Sequence, residues 1–376
     1  MSRIVMLLGR STGGIGTHVS QLVADLRAQG EDVEIVTDPL TRDRFGLVDA
    51  HPWWPDPRDP KAAVRGLRRL RALAAQADVV HAHGHQAGLV GFAAVAGRRR
   101  PRLIVSLHNA VLERGGAWRA ANAAQRLVAS RAALVTGAST DLVREATAHG
   151  ARWAELAPVP SPRVPDLLAD PVLSGRERDE ARAGLLADLG EQPGPDVAPG
   201  ARLVVTISRI APQKRLGDLL DAAAELTGPA APFIWVVIGD GVPELAATYR
   251  ERIAAEGLPV RLIGAVPDPS RWLRAADVFA LTSTWEARAL VVQEAMAAGV
   301  PVVSTDAGGL HDLVDGVGEL VRVGDPAGLA ARVGALLADP ERRAALREAG
   351  RARAATWPDG NDTARQWRRW YEQARG

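Results

Sequence analysis

The stretch DVFALTSTWEARALVVQEAMAAGVPVV, Asp277 to Val303, decides the fold class. Its start, Asp277 to Leu281, is a short apolar run ended by turn residues, the pattern of a buried strand. Thr282-Ser283-Thr284-Trp285 makes the turn, Leu290 to Ala298 is helix-like, and Gly299 closes it. Pro301-Val302-Val303 is a second apolar run. Strand, loop, helix, strand is one βαβ unit of a parallel sheet. Glu286 in the loop and Glu294 in the helix have seven residues between them. The loop and the first helical turns face the carboxyl edge of the sheet, where open α/β sheets bind ligands. Free N–H groups at the helix start suit a phosphate. Taken alone, the two glutamates read more simply as solvated charges.

The alternation continues upstream. Leu203 to Ile207 is a strand, and Ser208-Arg209-Ile210-Ala211-Pro212-Gln213-Lys214 leads from it into helix Leu216 to Leu226. Arg209 and Lys214 flank a helix start, where the helix dipole and two cations together would hold a diphosphate. Only Lys61 and Lys214 are lysines, so this one carries more information than any single arginine. Strand Phe233 to Ile238, the turn Gly239-Asp240-Gly241, helix Glu244 to Glu256 and strand Val260 to Ile263 follow. Downstream, Ser304-Thr305-Asp306-Ala307-Gly308-Gly309 is a second glycine-bearing loop at a strand end. Helices Pro326 to Leu337 and Glu341 to Ala355 come next. Thr363 to Ala374 carries Trp367, Trp370 and Tyr371 at helical spacing, which reads as a tail docked on a domain.

The first half repeats the scheme. Strand Ile4 to Leu8 enters a loop with Gly13-Gly14-Ile15-Gly16 and His18, followed by helix Val19 to Ala28 and strand Val33 to Val36. This is no dinucleotide fingerprint, because Val19 stands where the third glycine belongs. A ligand loop is favoured over a plain tight turn. HPWWPDPRDP, His51 to Pro60, sets a tryptophan pair in a Pro-rich loop that could stack on a sugar or lipid head group, or plug a gap. Helix Lys61 to Ala77 and the run Arg98 to Arg102 are Arg-rich, which reads first as solvated surface and second as a membrane-surface contact. Strand Val79 to His81 passes into a loop, and His81, His83 and His85 alternate along that passage. A structural role outranks metal ligation there, since the one nearby carboxylate, Asp78, is at the other end of the strand. Strand Leu103 to Leu107 delivers His108 and Asn109 to its carboxyl end, a good site position. A Pro-rich linker from Ala157 to Pro165 and the loop QPGPDVAPG bracket a helical patch, Arg176 to Leu189.

At 376 residues the chain suggests two domains. With 46 basic and 44 acidic residues, it is no dedicated nucleic-acid binder. It has no cysteine, which excludes disulfides, thiolate catalysis and Cys-ligated zinc. No run approaches the roughly 18 apolar residues of a membrane span. A cytoplasmic protein is expected, with peripheral membrane contact left open.

Taken together these residues resemble the family 4 retaining glycosyltransferases with the GT-B fold. Ser208-Arg209-(four residues)-Lys214 resembles the family's diphosphate clamp, and Gly239-Asp240-Gly241 its turn. Glu286-(seven residues)-Glu294, followed by Ala295-Met296-Ala297, resembles its paired-glutamate signature. Pro301-Val302-Val303 through Gly308-Gly309, Gly13-Gly14-(three residues)-His18 and His108 match as well. The resemblance implies two Rossmann-like domains facing each other across a cleft, with a C-terminal helix packing back on the N-terminal domain. It implies an acceptor-side domain of residues 1–160 plus helix 362–376, and a nucleotide-sugar domain of residues 161–361.

It also implies roles. Glu294 would accept hydrogen bonds from the nucleotide ribose. Arg209 and Lys214 would hold the diphosphate, Glu286 would lie by the donor sugar, and His108 would line the donor-sugar site. Gly14, Gly16, Gly239, Ile263 and Leu290 would join Glu294 in binding the donor. The donor would be a UDP-sugar first and a GDP-sugar next, the acceptor a small molecule, glycan or lipid-linked sugar. No cofactor or metal is expected. The family usually has glycine directly after the first glutamate and again two residues later; here Glu286 is followed by Ala287-Arg288-Ala289. A GT-B epimerase and a nonenzymatic sugar-nucleotide binder stay open as alternatives.

Overall fold

A computed structural model describes residues 1–11, 13–56, 58–110, 116–190, 198, 200–226 and 232–376. Most of the loop QPGPDVAPG, Pro57 of the tryptophan loop and Thr12 of the glycine loop lie outside the described residues. Two units divide the chain: residues 1–162 with 358–376, and residues 163–357.

Six parallel strands build the first unit: β1 (Arg3–Leu8), β2 (Asp32–Thr37), β3 (Val79–His83), β4 (Arg102–Leu107), β5 (Leu134–Gly137) and β6 (Ala154–Leu156). Their order is β2-β1-β3-β4-β5-β6. The order reverses between β1 and β3, the place where doubly wound sheets open a crevice at their carboxyl edge. β3 runs two residues beyond the expected end, so His81 and His83 both lie in the strand. Period-two alternation sends them to one face, above the helix Gly14–Ala28 and the C-terminal helix Gly360–Arg375.

That C-terminal helix belongs to the first unit's core. Trp367 and Tyr371 are 1% and 0% exposed and pack with Ile4, Met6, Val19, Leu22 and Leu26. Its start is fixed by a capping box: Asp359 accepts from the Asp362 N–H at 2.7 Å, and Asp362 accepts from the Asp359 N–H at 3.4 Å.

The second unit has β7 (Arg202–Ile207), β8 (Phe233–Ile238), β9 (Val260–Leu262), β10 (Val278–Leu281), β11 (Val302–Thr305) and β12 (Glu319–Val321). Their order is β12-β11-β10-β7-β8-β9, again all parallel. The reversal falls between β7 and β10, so the loops after these two strands meet at one switch point. The opening stretch is the expected βαβ unit: β10, helix Leu290–Ala297, β11. Asp277, at the other end of β10, is 2% exposed. It accepts from Arg182 Nη1 at 3.0 Å and from the Leu203 N–H at 2.9 Å, which pins β10 to β7.

Several elements differ from expectation, among them the short helices Pro39–Arg44 and Gly309–Val314. The linker contains a short helix, Val164–Ala169, because Pro165 at its first turn needs no N–H partner there. β12 was not expected, because its buried Glu319 breaks the apolar run. Arg332 and Arg342 both pair with that carboxylate and make its burial tolerable.

Candidate active site

Loop-to-loop hydrogen bonds assemble the second unit's site. Thr284 N–H donates to Gln213 O at 2.8 Å, and Thr282 Oγ1 donates to Lys214 O at 2.7 Å. These bind the β10 loop to the β7 loop. Thr305 Oγ1 donates to Ser283 O at 2.6 Å, and Gly309 N–H to Glu286 O at 2.8 Å, which ties in the β11 loop. The backbone at Gly308 has φ +57, and a Cβ there would lie 2.4 Å from Glu286 O and 2.5 Å from Trp285 Nε1. Only glycine fits that seat.

Lys214 and Glu286 are brought together. The ammonium bonds directly to Glu286 Oε1, which also accepts from Ser283 Oγ at 2.6 Å. Both side chains are 17% exposed, so the pair is partly desolvated yet reachable. Arg215, next to Lys214, is the single non-glycine residue with positive φ among the described residues (φ 49), and its guanidinium is held bidentately by Asp218. Arg209 is exposed on the same loop. Glu294 lies in the helix after Glu286, 3% exposed, with Arg163 Nη1 3.7 Å from its carboxylate. Nothing in the linker sequence singled out Arg163 among so many arginines.

The glycine turn after β8 is dictated by sterics. A Cβ on Gly239 would lie 2.2 Å from Ser208 O, and on Gly241 1.9 Å from Ile210 O. Both glycines let the β8 loop close on the β7 loop that carries Arg209. Ile263 donates its N–H to Val237 O at 3.1 Å and packs on the core. Leu290 is the first residue of the helix that carries Glu294. Ala287, Arg288 and Ala289 all have negative φ, a geometry alanine and arginine adopt freely, so the departure from glycine needs no strain. Arg288 has an aromatic neighbour. Its guanidinium lies 5.4 Å from the centre of the Trp357 ring, and burial lowers its pKa to about 10 despite Asp312.

In the first unit, imidazoles gather beside the carboxyl ends of β3 and β4. His18, His83 and His108 are 6%, 4% and 6% exposed, and each offers a nitrogen within 4.8 Å of the others, the sole such group of three among the described residues. His83 Nδ1 is 3.0 Å from His108 Nε2. His81 is bonded to Tyr371 OH and Ser106 Oγ, both at 2.8 Å. Burial lowers the pKa of His18 to about 4 and of His108 to about 3, and those of His81 and His83 well below the usual value, so all four are neutral. Gly14 opens the helix that bears His18 and is exposed. Gly16 is buried against an aromatic ring: a Cβ there would lie 2.2 Å from Phe45.

Comparison with known proteins places this architecture. The family model for group 1 glycosyl transferases matches residues 192–353, and that for a glycosyl transferase 4-like domain matches residues 13–162. The D-inositol 3-phosphate glycosyltransferase of Nocardia farcinica is 30% identical over 384 residues, covering 92% of this chain and 82% of that protein. The chain belongs to the group 1 glycosyltransferases, GT4 type. Another relative of this glycosyltransferase is the alpha-maltose-1-phosphate synthase of Mycolicibacterium smegmatis, 30% identical over 91% of this chain and 90% of that one. Among solved structures, Anabaena HepE in complex with UDP aligns with a TM-score of 0.82 and 22% identity, over 99% of this chain and 100% of that chain. The two parallel sheets of the glycosyltransferase are thus the Rossmann-like halves of a GT-B fold.

Proposed function

We propose that this glycosyltransferase moves a hexosyl group from a nucleotide-diphosphate sugar to an acceptor hydroxyl, with retention at the anomeric carbon. The Lys214–Glu286 pair at the β7/β10 switch point carries the reading. It sets a cation beside a helix start and a carboxylate within reach of one ligand. Arg209 and Lys214 hold the diphosphate and offset the negative charge that grows on it as the C1–O bond breaks. Lys214 leaves Glu286 for the diphosphate, and the freed carboxylate orients the sugar. Glu294 accepts from the ribose hydroxyls, and His108 lines the sugar site. The acceptor oxygen bonds to C1 on the face the diphosphate leaves, and its proton passes to the departing phosphate oxygen. The protein's own cations supply the charge stabilisation, with no resident metal required by this scheme.

A UDP-sugar is the first donor to test and a GDP-sugar the second. HepE was crystallised with UDP-glucose, which supports the uridine nucleotide. The acceptor is a hydroxyl on a small molecule, a glycan or a lipid-linked sugar. Two relatives have names that contain a cyclitol or sugar phosphate, so phosphorylated small acceptors come first in an assay. The deciding experiment is a thermal-shift series with UDP-, GDP-, ADP- and TDP-sugars. The true donor raises the melting temperature by mass action, and the rise disappears in Glu294→Ala. A shift with NADH and with none of these nucleotides would overturn the reading.

A further inference from the structure

The partners of His83 decide where the proton on His108 sits. His83 Nε2 lies 3.0 Å from Met6 Sδ, and His83 Nδ1 lies 3.0 Å from His108 Nε2. A thioether sulfur has lone pairs and no proton to give. A bare ring nitrogen at that distance would press lone pair against lone pair, so His83 Nε2 carries the hydrogen. A neutral imidazole has one N–H, so His83 Nδ1 is bare and accepts from His108 Nε2–H. His108, with its one proton spent there, keeps a lone pair on Nδ1. His81 lies beside His83 with ring centres 4.2 Å apart and planes tilted by 36°, but both its nitrogens are engaged by Tyr371 and Ser106, so it offers His83 no competing bond.

We propose that His83 is a positioning residue for glycosyl transfer: it locks His108 in the Nε2–H tautomer, leaving Nδ1 as an acceptor for a substrate hydroxyl. Burial keeps both rings neutral, so neither gains the second proton that would break the lock. The hydroxyl part of this inference rests on the donor-sugar reading of His108 above; the tautomer itself does not. A site built this way favours a sugar with a free O–H at that point. It disfavours an ether, a ketone or a carboxylate, which would set lone pair against lone pair.

The test is a long-range proton–nitrogen spectrum of the protein carrying 15N-histidine. Nε2 of both His83 and His108 should appear protonated and Nδ1 of both bare, unchanged from neutral to mildly acid pH. His83→Leu should convert His108 to a mixture of tautomers and lower kcat roughly tenfold to a hundredfold, with the donor KM nearly unchanged. His83→Asn, whose amide oxygen can take the same hydrogen bond, should restore both signals. A wild-type spectrum with the His108 proton on Nδ1 would overturn the inference. So would an unaltered tautomer and kcat in His83→Leu, or one equivalent of zinc held by these rings, since metal would replace the shared proton. Failure of every nucleotide sugar to stabilise the protein would sink the transferase reading and still leave the spectrum to decide the tautomer.

Discussion

Gly308 sits against Trp285 and Glu286 of the β10 loop, and it has no room to grow. Gly308→Ala would drive a methyl group into Glu286 O and the Trp285 indole at a positive φ. A cost of about 1–3 kcal/mol is expected, with turnover falling further than stability because Glu286 moves. Urea unfolding and steady-state kinetics on one preparation check this; equal losses in both would refute it. Lys214→Ala removes the cation from Glu286 while Ser283 still holds the carboxylate. Turnover should drop on the order of 10²- to 10³-fold with the fold intact. Retention of wild-type kcat would remove Lys214 from the reaction. Asp277 matters for the opposite reason, being anchorage and not chemistry. Asp277→Ala leaves the 7%-exposed Arg182 with Asp179 as its one carboxylate partner and takes the acceptor from the Leu203 N–H, and should cost about 1–3 kcal/mol. A variant as stable as the parent in urea would contradict that account.

At the scale of elements, legibility followed patterning. Strands with unbroken apolar runs, such as Ile4–Leu8 and Phe233–Ile238, lie where the runs place them to within a residue. β12 escaped notice because its core-facing glutamate is neutralised by arginines 13 and 23 residues away, which no local pattern contains. The site was half legible for the same reason. Glu286 and Lys214 could be picked out one by one from their loops. That they bond to each other, or that His83 bonds to His108, depends on strand order. Gly16 makes the same point, since nothing in its loop sequence shows that a Cβ there would meet the Phe45 ring. The C-terminal helix offers an element-level test. Asp359→Ala deletes the capping box and should cost about 1 kcal/mol, and Trp367→Ala opens a void worth about 3–5 kcal/mol. If Trp367→Ala unfolds at the parent's urea midpoint, the helix is not part of the core.

For the whole molecule, the buried imidazoles predict acid lability. In the unfolded chain each histidine takes a proton near its ordinary pKa of 6.5; in the fold His18 and His108 refuse it until about 4 and about 3. Stability is therefore complete above about pH 6.5 and is lost as pH falls below it, because the unfolded state binds more protons there. At about pH 5 these two groups alone remove about 2 kcal/mol each, and His81 and His83 act in the same direction. Urea midpoints measured between about pH 7.5 and about pH 5 should fall steeply, and a flat profile would mean that the rings are charged or solvated in the fold.

The C-terminal helix also sets a timetable. Its Tyr371 hydroxyl bonds to His81, and its Trp367 completes a core whose strands come from residues 3–156. Between them in the chain lies the whole second unit, residues 163–357. A ribosome adding about 5–20 residues per second needs roughly ten to forty seconds to cross that interval. The sheet that is synthesised first is thus the one finished last. Throughout that wait the apolar groove meant for the helix faces the cell, and a chaperone has something to hold.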